Sequence, residues 1–392
     1  MIPYGKQEIL ESDIKAVVET LKSPLITQGP KVKAFEEAIA QKTKAHYALA
    51  FNSATSALHC AVLALGFKKK DWLWSTPISF VASTNCALYC GGKVDFVDID
   101  TKTYNLDANL LEKKLKKTPK HKLPKVLVAV HFGGQSCDME KIYALSLQYG
   151  FKIIEDASHA LGGNYKSIPI CSCKFSDITI FSFHPVKIIT TAEGGMATTN
   201  NPCYYKKMEM LRTHGITKEV SDFKKFKNSK NPPAWYYEQQ MLGFNYRMSE
   251  LHAALGLSQL ERLDAYVAKR NELALAYNQA LADLELTLPF VESYNYSAFH
   301  LYPILLNKQS GIKQKALFDI FLKAGIGVQV HYIPIYLQPF YAHLGFKKGD
   351  FKRAEAYYKH TISLPLFPSM TKSEQESVIA ILKQNIQRIP NA

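Results

Sequence analysis

Three short segments of this 392-residue chain carry side chains whose types and spacing suit chemistry on one small molecule. The first is Asn52-Ser53-Ala54-Thr55-Ser56, between the strand-like YALAF (47–51) and the helical pattern SATSALHCAVLAL. At such a junction, unpaired amide N–H groups and the positive end of the helix dipole face an anion. Small residues let the backbone approach closely, and the hydroxyls of Ser53, Thr55 and Ser56 add donors. Taken alone, a serine at a helix start is ordinarily only a cap. The second segment is Glu155-Asp156-Ala157-Ser158-His159, at the end of FKIIED (151–156). A carboxylate at the tip of a buried strand needs a partner. A protonated ring nitrogen of a cofactor, an Arg or Lys, or a metal ion would serve. The third is Ser182-Phe183-His184-Pro185-Val186-Lys187, followed by Thr190-Thr191-Ala192-Glu193-Gly194-Gly195. A lysine just beyond an apolar strand, flanked by Pro and a Gly pair, is either an ordinary loop lysine or an amine in a dry pocket. In the second case its pKa is lowered and it acts as nucleophile and base.

An anion cradle, a carboxylate for a ring nitrogen and an activated lysine are together the parts of a pyridoxal 5'-phosphate site. Lys187 would hold the aldehyde as an imine. Asp156 would keep the pyridine nitrogen protonated, and the helix start near Ser53 would hold the phosphate. A flat apolar group should cover the ring, and Phe80 in Thr76-Pro77-Ile78-Ser79-Phe80 is the candidate, if it is not simply a core residue.

These segments need a scaffold that brings strand ends together. From about 45 to 200 the chain alternates short β-branched runs with helical stretches. The strands expected are YALAF, WLWS, VDFV (94–97), VLVAVHF (126–132), FKIIED, ITIFSF (178–183) and MATTN (196–200). Alternation of this kind predicts an α/β fold with a mostly parallel sheet covered on both faces, which binds ligands at the carboxyl ends of its strands. The second half predicts a smaller α+β unit. A long helix is expected from Ser249 through Leu281, strands at HLYPILL (300–306) and VQVHY (328–332), and helices around 312–324, 351–361 and 372–387. The expected division is 1–250 for the large domain and 251–392 for the connecting helix and small C-terminal domain.

Composition limits the alternatives. Hydrophobic residues make up 47% and charged residues 21%, ordinary for a globular chain and unlike a disordered one. No apolar run approaches a membrane span, and acidic residues in the first twenty positions argue against a secretory leader. A cytoplasmic protein is expected, without membrane partners. The net charge of +14 favours anionic partners. Its two basic clusters, Lys113 to Lys125 and Lys218 to Lys230, read as solvated faces, and no nucleic-acid-binding motif accompanies them. Seven scattered cysteines fit reduced thiols. Cys171 and Cys173 read as two loop thiols. Asp95, Asp98 and Asp100 do not converge under period-two alternation, so no metal site is expected. His184 reads first as structural, Glu193 as fixing its loop, and His214 as either a turn residue or a substrate contact.

The chain also resembles a known family, the DegT/StrS group of fold-type I aminotransferases. The matching pieces run from about Tyr4 to Ile386. They include LITQGPKVKAFEEAIA, FNSATSAL, TPISFVAS, FVDID, EDASHALG, FSFHPVK, TAEGGM, LRTHGI, GFNYRMSELHAALGL and VHYIPIY. The resemblance implies a fold-type I pyridoxal phosphate transferase working as a homodimer with shared active sites. It implies Lys187 as the catalytic lysine, Asp156 at the pyridine nitrogen and His159 near the phenolic oxygen. It places Ala54, Thr55 and Ser182 at the phosphate, Phe80 on the ring, and Asn245 at the neighbouring subunit's site. Tyr4, Thr27, His331 and Tyr332 would line the sugar-nucleotide site. Ala54 departs from the Gly that many relatives carry. Relatives that dehydrate the sugar carry His at the position of Lys187, so transamination is implied. Within the family, TPISFVAS, ASHALGG, ITTAEGG and QVHYIPIY are most similar to the pseudaminic acid branch. That similarity implies L-glutamate as donor and a UDP-linked 4-keto-6-deoxy-N-acetylhexosamine as acceptor. The alternatives are another 4-keto sugar nucleotide, of bacillosamine or perosamine type, or a regulatory protein on the same fold.

Overall fold

The computed structural model describes residues 1–225 and 232–389; Lys227 and Lys230 of the second basic cluster lie outside these. Seven strands form the central sheet: β1 (Tyr47–Phe51), β2 (Trp72–Ser75), β3 (Lys93–Phe96), β4 (Val126–Val130), β5 (Lys152–Asp156), β6 (Ile178–Ser182) and β7 (Gly195–Thr199). Their spatial order is β1-β7-β6-β5-β4-β2-β3. The pairs β2–β3, β2–β4, β4–β5 and β5–β6 are parallel, and β7 runs antiparallel to both neighbours. Every residue of β4 is buried, which its unbroken VLVAV requires of a strand covered on both faces.

The two faces of the sheet feed two separate cores. Ala48, Ala50, Leu127 and Ala129 face one, while Leu49, Phe51, Val126, Val128 and Val130 face the other. The helices of this half are α1 (Glu11–Leu21), α2 (Pro30–Thr43), α3 (Ala54–Ala64), α4 (Ala82–Tyr89), α5 (Ala108–Lys117), α6 (Met139–Tyr149) and α7 (Pro202–Arg212). Phe35 and Ile39 of α2, Leu111 of α5 and Ile142 of α6 join the first core; Leu58 of α3, Cys86 of α4 and Leu211 of α7 join the second. The basic stretch on α5 is partly paired. Lys114 bonds Asp95 at 2.7 Å and Lys116 bonds Glu112 at 2.5 Å.

Beyond them come α8 (Glu250–Leu260) and α9 (Leu263–Ala280), then a three-stranded antiparallel sheet, β8 (Leu286–Thr287), β9 (Tyr302–Leu306) and β10 (Thr361–Leu364), in that order. Helices α10 (Gln314–Lys323), α11 (Lys352–His360) and α12 (Lys372–Asn385) accompany it. Leu273 through Ile386 build a third core, whereas Ala253, Leu263 and Val267 belong to the first.

Three expectations are corrected. The long helix from Ser249 to Leu281 is two helices, because the chain breaks at Glu261–Arg262. The break lets Leu263 enter the core while Arg262 reaches Asp13. VQVHY (328–332) is not a regular strand. Gln329 makes one bridge to Ser363, and then the Val330 N–H bonds the Gln329 side chain at 2.9 Å instead of a ladder partner. Thr361, expected to end a helix, begins β10. Asp98 and Asp100 also lie beyond β3. Asp98 accepts from the amides of Arg353 and Ala354, and Asp100 from those of Lys102 and Thr103.

Asp13 ties α1 to the end of α8 and the break that follows it. It is fully buried and accepts from Arg262 at 2.7 and 2.8 Å, Ser258 at 2.6 Å, Gln259 at 2.8 Å and the Leu10 amide at 2.9 Å. Burial pushes this carboxyl up, but the bonds from Arg262, Ser258 and Leu10 outweigh it and hold it below the usual range. Asp13→Ala should lower unfolding free energy in urea by about 1–3 kcal/mol, since it takes the acceptor from the buried Ser258 and Gln259 side chains and from the partly exposed Arg262 guanidinium. A folded-state value below the unfolded one means this stabilisation is complete above about pH 4 and is lost as pH falls through the lower folded value. The variant's deficit should therefore shrink in acid.

Candidate active site

A cavity of ≈540 Å³ opens where β1, β5 and β6 end and α3 begins. The start of α3 forms one wall. Ser53 is its N-cap and accepts from the Ser56 amide at 3.1 Å, and Ser56 Oγ–H donates to Asn52 Oδ1 at 2.6 Å. Ser56 Oγ, its proton given to Asn52, accepts from Ser53 Oγ at 2.9 Å, so neither hydroxyl is a free donor, contrary to the sequence expectation. What remains for an anion are the amides of Ala54 and Thr55, which have no acceptor within the helix, and the Thr55 hydroxyl. Both residues line the cavity, as does Ser182. Gly195 of β7 lets α3 come this close, because a Cβ there would lie 2.4 Å from the Ala54 nitrogen.

Asp156 ends β5 and lines the cavity floor. Its Oδ2 accepts from Ser83 Oγ at 2.7 Å, and its Oδ1 accepts from Ser158 Oγ at 2.6 Å and the Ser158 amide at 3.2 Å. The neighbouring Glu155 points to the other side of the strand and bonds His131 Nε2 at 2.7 Å.

His159 is buried. Its Nδ1 accepts from the Gly133 amide at 3.3 Å, which puts the proton on Nε2, 3.1 Å from the Tyr332 hydroxyl. Burial, with Lys187 and His331 nearby, holds this imidazole well below its usual range, so it is neutral. The ring of His300 packs 4.4 Å from it. Tyr4, His331 and Tyr332 form the opposite wall. His331 Nδ1 lies 2.9 Å from Ser363 Oγ, and burial and Lys187 push His331 down to about 3.

Lys187 closes a turn, its amide bonding the His184 carbonyl at 2.8 Å. The loop behind it is pinned from both sides. Phe183 donates to Gly194 and accepts from Thr191, both at 3.0 Å. The Lys187 amine faces the cavity and has no hydrogen bond or ion pair among the described residues. Burial lowers it to about 8, only partly opposed by Asp156. Phe80 also lines the cavity, with 60% of its surface exposed although the chain around it is buried.

Two residues expected at the site lie outside this cavity. Thr27 is exposed on the segment before α2. Asn245 is exposed in a loop whose backbone bridges Thr213 and accepts from Asn52 Nδ2 at 3.4 Å. His184 and Glu193 do line it, and His214 does not: with φ 57° it occupies a tight turn. Ser79, Ser83, Ser158 and Gln329 line it as well and were not singled out from sequence. Only Ser158 carried a signal, since a serine two residues after an aspartate at a strand end suits an Asx-turn. Cys171 and Cys173 are loop thiols, both buried. Among the described residues no group of three His, Cys, Asp or Glu side chains converges to hold a metal.

The arrangement offers a nucleophilic amine, a fixed carboxylate and an anion cradle in one partly dry cavity. In the ligand-free chain, acylation of Lys187 by acetic anhydride should rise with pH and level off near its value of about 8, while exposed lysines keep rising beyond it. Quantitative mass spectrometry of the modified peptides at successive pH values checks this.

Comparison with known proteins places this geometry. The family model described as DegT/DnrJ/EryC1/StrS aminotransferase family matches residues 7–383. A UDP-4-amino-4,6-dideoxy-N-acetyl-beta-L-altrosamine transaminase of Campylobacter jejuni is 38% identical over 392 residues, covering 99% of this chain and 98% of its own. Among solved structures, Helicobacter pylori PseC, an aminotransferase involved in the biosynthesis of pseudoaminic acid, superposes with TM-score 0.88 at 34% identity over 98% of both chains. Spr1654 of Streptococcus pneumoniae in its PMP-form gives TM-score 0.89 at 29% identity, again over 98% of both chains. The mostly parallel sheet and the cavity at its strand ends are thus those of an aminotransferase, and the chain belongs to the DegT/DnrJ/EryC1/StrS aminotransferase family.

Proposed function

We propose that this protein is a pyridoxal phosphate-dependent aminotransferase. In this reading it moves an amino group from L-glutamate to C-4 of a UDP-linked 4-keto-6-deoxy-N-acetylhexosamine, in pseudaminic acid biosynthesis in the cytoplasm. The observation that carries the reading is the Lys187 amine, lowered to about 8 and unpaired, in the same cavity as Asp156. The transaminase and PseC relatives support the choice of sugar.

The residues present fit the cofactor. The free amides of Ala54 and Thr55 and the hydroxyls of Thr55 and Ser182 suit its phosphate, and Asp156 suits a ring N–H. Phe80 offers an uncovered aromatic face to the ring, and the neutral His159 would suit its phenolic oxygen. When bound, pyridoxal phosphate supplies an aldehyde for amine exchange and an electron sink for charge developing at the adjacent carbon.

Lys187 does the proton work. An amine near 8 has a substantial neutral fraction at physiological pH, so it could take a proton from the amino-bearing carbon and deliver it to the carbon on the other side of that nitrogen, as general base and acid. Asp156 stays in place through its bonds to Ser83 and Ser158. Tyr4 and His331 face the remaining volume, where the sugar nucleotide would lie, and His331 is neutral there and able to accept or donate at its free nitrogen. Glutamate leaves as 2-oxoglutarate. The net charge of +14 favours capture of the diphosphate.

Several exposed groups support a homodimer. Asn245 stands outside its own cavity, on the loop that carries Leu242 at 81% exposure, with Trp235 nearby in sequence at 81%. The outer side of α1 presents Ile14, Val18 and Leu21. Apolar surface of this kind marks an interface, and a two-fold dimer would bring Asn245 to the partner's site.

The test is incubation of the pyridoxal phosphate-loaded protein with L-glutamate and a panel of 4-keto sugar nucleotides, followed by mass spectrometry. The 4-amino product should form from the UDP-linked N-acetylhexosamine, and Lys187→Ala should lower turnover by more than about 10³-fold. No amine from any 4-keto sugar, or full activity without Lys187, would overturn the reading.

A further inference from the structure

A relay of two hydroxyls, Ser79 to Ser83, runs under Asp156. Ser83, on α4, is fully buried and donates from Oγ to Asp156 Oδ2 at 2.7 Å. Ser79 Oγ lies 2.7 Å from Ser83 Oγ and is also buried. A serine has one proton to give. Ser83 gives its proton to Asp156, so Ser79 is the donor to Ser83. The two bonds point the same way and strengthen each other. Ser158 supplies two donors to the other oxygen, Oδ1. Both oxygens of the carboxylate are thus held before any ligand arrives. Ser79 and Ser83 flank the turn that brings Phe80 to the cavity, and they stand four residues apart.

We propose that Ser83, oriented by Ser79, is a positioning residue that keeps the proton shared between Asp156 and a ring nitrogen on the ring. The proposal rests on the cofactor reading given above. Each donor to the carboxylate stabilises its negative charge and so disfavours transfer of the ring proton to it. Without the Ser83 hydroxyl the proton shifts toward Asp156. The ring then withdraws electrons less strongly, and the nitrogen contributed by Lys187 holds its own proton to higher pH.

The other groups facing Asp156 do not titrate in the relevant range. Burial raises the Cys86 thiol on α4 and the Tyr332 phenol. It lowers the His159 and His331 imidazoles. Between about pH 6 and 9 these stay neutral; His184 and Glu193 also line the cavity, on the loop that carries Lys187, and are the same in every variant compared, so a shift in midpoint reports on Asp156 and the bound ring.

The experiment is a pH titration of the visible absorbance of the pyridoxal phosphate-loaded full chain. It is run on the parent protein, Ser83→Ala and Ser79→Ala, with borohydride reduction and peptide mapping to confirm attachment at Lys187. Ser83→Ala should raise the midpoint by about 1 pH unit, the size expected for losing one hydrogen bond to a charged group. Ser79→Ala should raise it by less. If Ser83→Ala does not fold, Ser79→Ala decides by the same criterion. Unchanged midpoints with the cofactor mapped to Lys187 would overturn this proposal alone. Failure of the parent protein to form a visible band on Lys187 would overturn the cofactor reading and this proposal with it.

Discussion

The amine of Lys187 is kept largely out of water without a protein anion bonded to it. A desolvated ammonium is costly, and the charge of Asp156 only partly offsets that cost, so the group settles near 8. The rest of the site follows from supporting this unfavourable placement. The loop from Phe183 to Gly195 is fastened by backbone bonds at both ends, so Lys187 cannot relax toward solvent by moving its main chain. The surrounding imidazoles of His159, His300 and His331 are all depressed by burial and by this same cation. Burial first, and the nearby amine second, keep these imidazoles neutral, so they add no competing charge.

Period-two geometry separates the two acids at the end of β5. Glu155 turns to His131, Ser176 and Thr179, and Asp156 turns to Ser83 and Ser158. The Cys137 amide donates to His131 Nδ1 at 3.2 Å, so that ring gives its Nε2 proton to Glu155. One acid braces the strand end on the far side of the sheet. The other stays available to the cavity. Sequence adjacency alone suggests a diad, but the pleat gives the two carboxylates separate work.

The central strands were readable because burial on both faces leaves continuous apolar runs, and the chemistry-bearing residues follow those runs directly. Asp156, Ser182, Lys187 and the Asn52–Ser56 turn could be located for that reason. What escaped depends on partners distant in sequence. The break at Glu261–Arg262 serves a carboxylate on α1, and nothing local to LHAALGLSQLERLDAYVAKR (251–270) announces it. VQVHY alternates like a strand, but Gln329 bonds its own successor's amide and ends the ladder. Ser79 and Ser83 were passed over because hydroxyls at the start of an apolar helix look indifferent until a carboxylate is placed against them. Thr27 and Asn245 came only from family resemblance, and neither lines the cavity of its own chain.

The loop after β4 joins the two halves of the molecule. Gly133 and Gly134 adopt φ 66° and 113°, and their carbonyls accept from the Leu301 and Ala298 amides. A Cβ on Gly134 would stand 2.7 Å from the Phe299 nitrogen. Backbone pressed against backbone at that spacing leaves nothing to slide. The Gly133 amide is also the one that orients His159, so the joint between the halves and the alignment of that ring are one contact. The backbone bonds of Gly133 and Gly134 therefore hold the cavity floor, His159 included, to the segment 298–301 as one piece.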